Sequence, residues 1–423
     1  MRRPFPDRLR QVPWGGHRAE PLVVLVLALA GCRAAPDATP VPFEFPDDEE
    51  TRRLRVLAEI DSILSADYLY AGSTGVDWSS GLADLEALVR QGADDGAFRQ
   101  GIREMLAVLP EDTVRYATRE ERLEEALERT ASYEGIGAFI AFRADPEPRL
   151  VLLSIVEGSP AERAGLRPHE AIYVIDGEHV RAEEGAAAAL RVRGLEGTTV
   201  VLEVGAPDGT RRTVEVERRR VVALSDIQGR LMTSGDVHLQ VPVLADARLV
   251  DAIGVAMDVL AEQSTPGGLV LDLRIAATSD DWPLEEMLAL FLDGEQGTFV
   301  DRQGADELIV DGVDLRGSQT VPLVLLVGPD TSGAPEIFAA ALQARGRAAT
   351  VGLATRGSVF GYGTNVLSDG SQLIYARSTF RTFRGLDLGR NGVRPVYPVQ
   401  ADWDQVTETR DPVLRTALSL FGR

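Results

Sequence analysis

Residues 158–166 read Gly-Ser-Pro-Ala-Glu-Arg-Ala-Gly-Leu, and this stretch decides how the chain is interpreted. Ser159 is a favourable helix cap, Pro160 suits the first turn of a helix, and Glu162 stands three residues after the cap. The glycines at both ends are typical of turns. The sequence therefore predicts a very short helix that is closed by a turn on either side.

Strand-like segments surround this short helix. They are rich in Val, Ile, Leu and aromatic residues, and turn residues such as Asp176-Gly177 and Pro207-Asp208-Gly209 separate them. A helix is predicted near 182–192. Together these elements predict a β-rich domain over residues 133–219. The predicted strands are 138–141, 150–155, 171–175, 198–204 and 212–216.

The sequence pattern is different on each side of this domain. Residues 50–132 have apolar residues at helical spacing. After residue 220, near-continuous apolar runs alternate with helical segments, which is typical of buried parallel strands in an α/β core over 220–423. The predicted fold class is therefore a multidomain α+β and α/β protein. Helices are predicted at 98–109, 119–130, 249–261, 283–292 and 335–344, and core strands at 237–243, 268–273 and 321–327.

The composition excludes several kinds of chemistry. The formal net charge is -21, and all 44 basic residues are arginine, so the chain has no lysine. A Schiff-base lysine, a phosphate-loop lysine and a lysine general base are therefore impossible. A single cysteine cannot form a disulfide within the chain, and the acidic balance argues against nucleic acid as a partner. The sequence predicts no cofactor and no metal site.

The N-terminus is predicted to direct export. Several arginines precede an apolar run, 22–30, that is too short to span a bilayer. The run ends in Leu-Ala-Gly-Cys, which resembles the cleavage site of bacterial lipoproteins and places the only cysteine, Cys32, at the lipidated position. We expect a signal peptide over 1–32 and a tether over 33–49. The chain is predicted to be an exported lipoprotein that is anchored to a membrane and faces the periplasm or the cell surface.

The β-rich domain resembles a PDZ domain of the bacterial processing-protease type. The resemblance rests on Gly135-Ile136-Gly137, on the 158–166 stretch and on Val174-Ile175-Asp176-Gly177, which follow in order. It implies that Gly135, Ile136, Gly137 and Ala138 form a loop that captures the terminal carboxylate of a peptide or protein partner. Where such domains often carry Gly-Asp, this chain has His169-Glu170.

The resemblance extends to the family of C-terminal processing peptidases, or tail-specific proteases, over roughly residues 56–400. The motifs that carry it include a helical lead-in, a core strand, the helix behind the nucleophile, a late hairpin and a terminal segment. They are residues 102–121, Leu271-Asp272-Leu273-Arg274, Glu336–Gln343 with Gly346-Arg347-Ala348, Leu367–Ser371, and Gly392-Val393-Arg394-Pro395.

The catalytic residues that this resemblance implies are missing. The position of the family's nucleophilic serine, three residues before Glu336, is Gly333. The lysine position is Ser358 or Arg356, depending on the register, and the glutamine position is correspondingly Tyr362 or Phe360. Neither serine nor arginine serves as a base near neutral pH.

The family's oxyanion segment, Arg-Asn-Asn-Pro-Gly-Gly, is also replaced. This chain has Arg-Ile-Ala-Ala-Thr-Ser at 274–279. The resemblance, taken with these three losses, predicts a peptidase fold that binds C-terminal tails or a protein partner without cleaving them.

Two alternatives to this interpretation stay open. In the first, Ser332, next to the nucleophile position, acts as the nucleophile and the protein is an active serine endopeptidase. In the second, the groove of the PDZ-like domain has no ligand and the protein is an assembly scaffold. His169 and His179 are expected in solvated turns, and His238 is expected to be structural. Clustered arginines in the late segment form a candidate docking surface for an acidic partner: Arg377, Arg381, Arg384, Arg390 and Arg394.

Overall fold

The computed structural model describes residues 48–422, except 74, 76, 111–112, 123–133, 222–226, 264–266, 280 and 408. The predicted signal peptide, Cys32 and all but the end of the tether lie outside these residues. Within the described part, no helix has both the length and the apolar character needed to cross a membrane.

Three helices open the described chain. The carboxylate of Asp48 accepts a hydrogen bond from the Thr51 N–H (2.7 Å), and the Asp94 carboxylate accepts one from the Ala97 N–H (2.8 Å). Because Asp94 supplies this cap, the third helix begins before the predicted residue 98. The helices are α1 (Glu49–Asp67), α2 (Ser79–Arg90) and α3 (Asp95–Leu106).

The expectation of helix throughout 50–132 is wrong at one place. Strand β1 (Val114–Ala117) pairs antiparallel with the later strand Gln372–Thr382. Its four residues are too few for hydrophobic periodicity to reveal it. The helix predicted at 119–130 is helical at 119–122, and 123–130 lie outside the described residues.

The next unit, residues 134–220, is β-rich as predicted. Its elements are β2 (Glu134–Gly135), β3 (Ala138–Arg143), β4 (Arg149–Ile155), α4 (Pro160–Arg163), β5 (Ala171–Ile175), β6 (Glu178–His179), β7 (Thr199–Gly205), β8 (Arg211–Glu217) and β9 (Arg219–Arg220). One sheet has the strand order β3-β4-β5-β7-β8, so β3 is at its edge, and β2 pairs separately with β9.

The helix predicted at 182–192 is irregular. Residues Ala182–Val192 form a 3-10 segment that is interrupted at Gly185, which has φ 55° and ψ -139°. Glycine adopts this conformation readily, and a residue with a Cβ does not. The segment still buries Ala188 and Val192 against the sheet.

The last unit alternates strands and helices, as the apolar runs predicted. Its elements are β10 (Gln228–Leu231), β11 (Val237–Gln240), α5 (Arg248–Ala261), β12 (Leu269–Asp272), α6 (Leu284–Phe291), β13 (Gly294–Asp301), β14 (Ala305–Val310), β15 (Leu323–Val327), α7 (Ala334–Ala344), β16 (Ala349–Gly352), β17 (Gly361–Val366), β18 (Gln372–Thr382), α8 (Leu388–Asn391), β19 (Tyr397–Pro398) and α9 (Pro412–Ser419).

A six-stranded sheet lies at the centre of this unit. Its order is β10-β11-β12-β15-β16-β19, and all pairs are parallel except β10 with β11. Every residue of β12 and β15 is buried, because helices α5, α6 and α7 pack on one face and α9 packs on the other. Strand β15 leads directly into the loop before α7, so that loop lies at the carboxyl edge of the sheet.

A second, antiparallel sheet was not predicted in this form. It contains β1, β18, β13 and β14 in that order, with β17 also paired to β18. The N-terminal helices pack on it, because α1 residues such as Leu57 and Leu64 share a buried cluster with Leu373 and Tyr375 of β18. The N-terminal helical region is therefore joined to the core through a shared sheet and a shared cluster.

Candidate functional site

Gly333 lies at the carboxyl edge of the parallel sheet, directly before α7. It caps the N-terminus of that helix with φ 65° and ψ -126°, a conformation that favours glycine. Its N–H donates to the Ser358 carbonyl oxygen at 3.0 Å. The structure thus brings together Gly333 and Ser358, two of the residues that the sequence singled out, through their backbones.

Thr278 fills the space where a side chain on residue 333 would lie. A Cβ added to Gly333 would be 1.7 Å from the Thr278 Oγ1 and 2.7 Å from its Cβ. Distances this short are incompatible with both atoms being present. No nucleophilic side chain fits at position 333 unless Thr278 moves.

The same threonine caps the helix. The Ala334 N–H donates to the Thr278 Oγ1 at 2.5 Å. The first N–H groups of a helix have no partner within the helix and are a natural place for an anion to bind. Thr278 lies in the segment 274–279, where the family resemblance implies oxyanion glycines; its hydroxyl occupies the space of a side chain on residue 333 and also engages a helix N–H.

Ser332, the fallback nucleophile, is held by its backbone. Its N–H donates to the Ala276 carbonyl oxygen at 3.1 Å, and its own carbonyl oxygen accepts a longer contact of 3.5 Å from the Thr278 hydroxyl. The side chain of Ser332 is half-buried. An active serine also needs an adjacent base.

The two registers for the lysine position lead to different surroundings. Arg356 is exposed, whereas Ser358 is half-buried beside Gly333. Of the two glutamine candidates, Phe360 is buried with Tyr70, and Tyr362 is 49% exposed. None of these four side chains can act as a general base at neutral pH.

Glu336 is a buried carboxyl group that the sequence indicated only as part of the helix motif. Its Oε1 accepts hydrogen bonds from the Thr355 hydroxyl and from the Gly357 N–H (2.8 Å). Burial raises its pKa to about 7, against the opposing effect of the Thr355 hydroxyl and of the Gly357 and Ser358 N–H groups. Glu336 therefore fastens the 355–358 loop to α7.

The three histidines of the described chain behave differently from one another. His179 is exposed, as expected, and His238 is buried with its Nε2 3.2 Å from the Asp272 Oδ2. The expectation for His169 is wrong, because its ring is half-buried, 4.2 Å from the ring of Trp403. Sequence patterns extend over a few residues and therefore do not indicate a ring contact with a residue more than two hundred positions away.

The predicted carboxylate loop is buried and tightly packed. Gly137 has φ 81°, and a Cβ there would be 2.4 Å from the Ser159 Cβ. The carbonyl oxygens of Ile136 and Gly137 accept hydrogen bonds from the N–H groups of Ala161 (2.8 Å) and Val156 (2.9 Å). The 158–166 stretch thus fixes the loop in front of the edge strand β3.

The late arginines are all exposed. Two of them lie over aromatic rings: Arg390 is 4.1 Å from the ring centre of Tyr70, and Arg384 is 5.5 Å from that of Phe383. Among the described residues, no group of three or more His, Cys, Asp or Glu side chains is arranged to hold a metal ion.

Comparisons with known proteins identify relatives. The model of peptidase family S41 matches residues 251–399. The carboxyl-terminal-processing protease of Synechocystis sp. (strain ATCC 27184 / PCC 6803 / Kazusa) is 30% identical over 332 residues, which are 76% of this chain and 76% of that protein. The carboxy-terminal processing protease CtpA of Bacillus subtilis (strain 168) is 26% identical over 310 residues, 71% of this chain and 64% of that protein.

Solved structures show the same fold. The photosystem II D1 C-terminal processing protease matches with a TM-score of 0.60 at 24% identity, over 88% of this chain and 97% of that one. A putative S41 protease from Bacteroides fragilis matches with a TM-score of 0.50 at 16% identity, over 90% of this chain and 99% of that one. The chain has the mixed α/β fold of these structures and belongs to peptidase family S41, among homologues of the carboxyl-terminal processing proteases.

Proposed function

We propose that this member of peptidase family S41 is an exported, lipid-anchored protein that binds the C-terminal tails of peptides or proteins without cleaving them. The observation that carries the proposal is the position of the Thr278 hydroxyl. It lies where a side chain on residue 333 would lie, and it caps the helix behind that position.

Peptide cleavage needs a nucleophile and a base in contact with it. Gly333 offers no side chain. Arg356 is exposed, and a guanidinium is not a base near neutral pH; the buried His238 is hydrogen-bonded to Asp272. Glu336 is buried, its Oε1 is held by Thr355 and Gly357, and within the described residues no hydrogen bond joins it to Ser332.

The binding part of the proposal rests on the β-rich unit, which we interpret as a PDZ-like domain. Its edge strand β3 offers backbone groups for strand addition, and the glycine-containing loop 135–138 precedes that strand. Ile140 and Phe142 of β3 share an apolar cluster with Ala188 and Val192 of the 3-10 segment. This apolar lining favours a tail that ends in an apolar residue.

The first experiment tests cleavage. An unfolded test protein is incubated with the purified chain, and its fragments are followed by gel electrophoresis. We expect the test protein to survive. Cleavage that disappears in Ser332→Ala would overturn the proposal in favour of a relocated nucleophile.

The second experiment tests binding with a matched pair of peptides. Peptides with an apolar last residue and a free C-terminus are expected to bind at least ten times more tightly than the same peptides with an amidated C-terminus. Equal affinity, or no binding, would favour an assembly scaffold.

The lipid anchor is tested separately. In a bacterial host, the chain is expected in the membrane fraction and labelled by a radioactive fatty acid. The Cys32→Ser variant should lose both the label and the membrane association. Unchanged labelling in that variant would contradict lipidation at Cys32.

A further inference from the structure

Residues Asp402, Trp403 and Asp404 connect the core to the β-rich unit at three consecutive positions. The indole N–H of Trp403 donates to the Leu153 carbonyl oxygen of β4 at 3.0 Å, and the indole is 5% exposed. Around it, Val151 and Leu153 of the β-rich sheet share a buried cluster with Val243 and Ile275 of the core. The tripeptide therefore lies inside the contact between the two units.

Two buried arginines flank the tryptophan. Arg143, at the end of β3, donates to the Asp402 carboxylate (2.5 and 3.1 Å) and to the Asp330 carboxylate (3.1 and 2.5 Å). Arg149, at the start of β4, forms an ion pair with Asp404 at 2.5 Å. Breaking a buried pair leaves an uncompensated charge, so these contacts fix one arrangement of the two units.

His169 contributes the fourth contact. Its Nδ1 is 2.8 Å from the Trp403 carbonyl oxygen, and its ring lies 4.2 Å from the indole, centre to centre. His169 has φ 72°, in the left-handed region, which is unfavourable for a residue other than glycine. The PDZ domains that this unit resembles often have glycine at this place. Here a side chain occupies the strained position and contacts the other unit.

The surroundings of His169 disfavour a charged imidazole. Burial lowers its pKa below the ordinary 6.5. The Trp403 carbonyl oxygen opposes this effect. Of the charged groups that face the ring, Arg274 also lowers the pKa, whereas Asp411 and Asp272 raise it.

We propose that residues 402–404 form a clamp that holds the β-rich unit against the core, and that His169 is the contact through which acid releases it. The docked unit binds fewer protons than the released one, because the docked surroundings lower the pKa of His169. Docking is therefore fully favourable above pH 6.5 and weakens as the pH falls below 6.5 toward the lower pKa of the docked state. The clamp does not depend on tail binding.

The test uses a cysteine placed inside the contact. Ala171 is 1% exposed and belongs to the cluster between the two units. In the full chain carrying Cys32→Ser, Ala171→Cys introduces the only thiol. A dipyridyl disulfide, which reacts at mildly acid pH, labels it, and each rate is divided by the rate of the unfolded variant at the same pH. Ala341→Cys, buried in the core, is the matched control for global unfolding.

We expect labelling of the Ala171→Cys variant to rise at least about threefold from pH 7.5 to pH 5.5, while the thiol of the Ala341→Cys variant stays protected. Adding His169→Asn, which tolerates the left-handed backbone and does not titrate, should abolish the rise. Adding Trp403→Ala should raise labelling at both values of pH.

Three outcomes would overturn the clamp: a pH-independent rate in the Ala171→Cys variant, an unchanged rise when His169→Asn is added, or equal labelling of the Ala341→Cys control. Failure of the tail-binding experiment would leave these measurements unaffected, so the two proposals fail separately.

Discussion

Two glycines with left-handed backbone, Gly137 and Gly333, each lie against a hydroxyl-bearing residue from a distant segment. Gly137 packs against Ser159, and Gly333 against Thr278. After Gly137, strand β3 has a neighbouring strand on one side only within the described part of the chain. At Gly333 the next helix N–H is already bonded to the Thr278 hydroxyl. The same backbone conformation thus precedes an edge strand in one place and a capped helix N-terminus in the other.

The difference has a physical origin. Strand addition needs backbone hydrogen-bonding groups and space, which tolerate changes in side chains. Acyl transfer needs a particular nucleophile, base and oxyanion donor at once. On the proposed function, a binding groove would therefore outlast the loss of catalytic residues.

The largest effect is expected for Gly333→Ala. The added Cβ meets Thr278 in a backbone conformation that favours glycine, so the free energy of unfolding should fall by about 4 kcal/mol. Chemical denaturation measures it. In a Thr278→Gly background the same substitution should cost at least about 1 kcal/mol less. Equal costs in both backgrounds would show that Thr278 does not fill this space.

Gly137→Ala is expected to lower the free energy of unfolding by about 3 kcal/mol, because its Cβ would be 2.4 Å from the Ser159 Cβ. Tail binding should weaken at least tenfold, since the loop must shift. Gly158→Ala is the matched control, because Gly158 lies in the same β-rich unit and has φ 69° but has open space around it. A Gly137→Ala variant that binds tails normally would separate this loop from the proposed binding site.

Glu336 is expected to make the stability of the protein depend on pH. Its folded pKa of about 7 lies above the ordinary 4.5, so its contribution to stability is complete below pH 4.5 and is lost as the pH rises through 7. Between pH 5 and pH 8 the free energy of unfolding of the parent should fall by about 2 kcal/mol relative to that of Glu336→Gln. Denaturation at both values of pH measures this. Parallel stability curves for the two proteins would contradict a buried, neutral Glu336.

Thr278→Ala should have the smallest effect. It removes a helix cap, which costs about 1 kcal/mol. We expect no peptidase activity to appear, because position 333 still has no side chain. Thr278→Ser, which keeps the hydroxyl, should restore most of the lost stability. Hydrolysis of the unfolded test protein by Thr278→Ala would show that a hidden nucleophile had been blocked.

Much of the architecture could be predicted from local signals. The short helix at 160–163, the strands of the β-rich unit and the buried strands β12 and β15 lie close to the predicted positions, because capping residues and apolar runs act within a few residues. The sheet built on β18 was missed, since its partners come from β1, β13 and β17, far apart in the chain. The place of Gly333 before its helix followed from the family resemblance together with the helix predicted at 335–344.

By itself, the sequence determined what chemistry is impossible. A chain without lysine and with glycine at position 333 cannot hold the serine and lysine that its family resemblance implies. Only the tertiary structure decided what replaces them. Thr278 meets Gly333, and His169 meets Trp403, across 55 and 234 residues of chain. Which side chain fills a given space depends on packing between distant segments, and a pattern of neighbours along the chain does not contain that information.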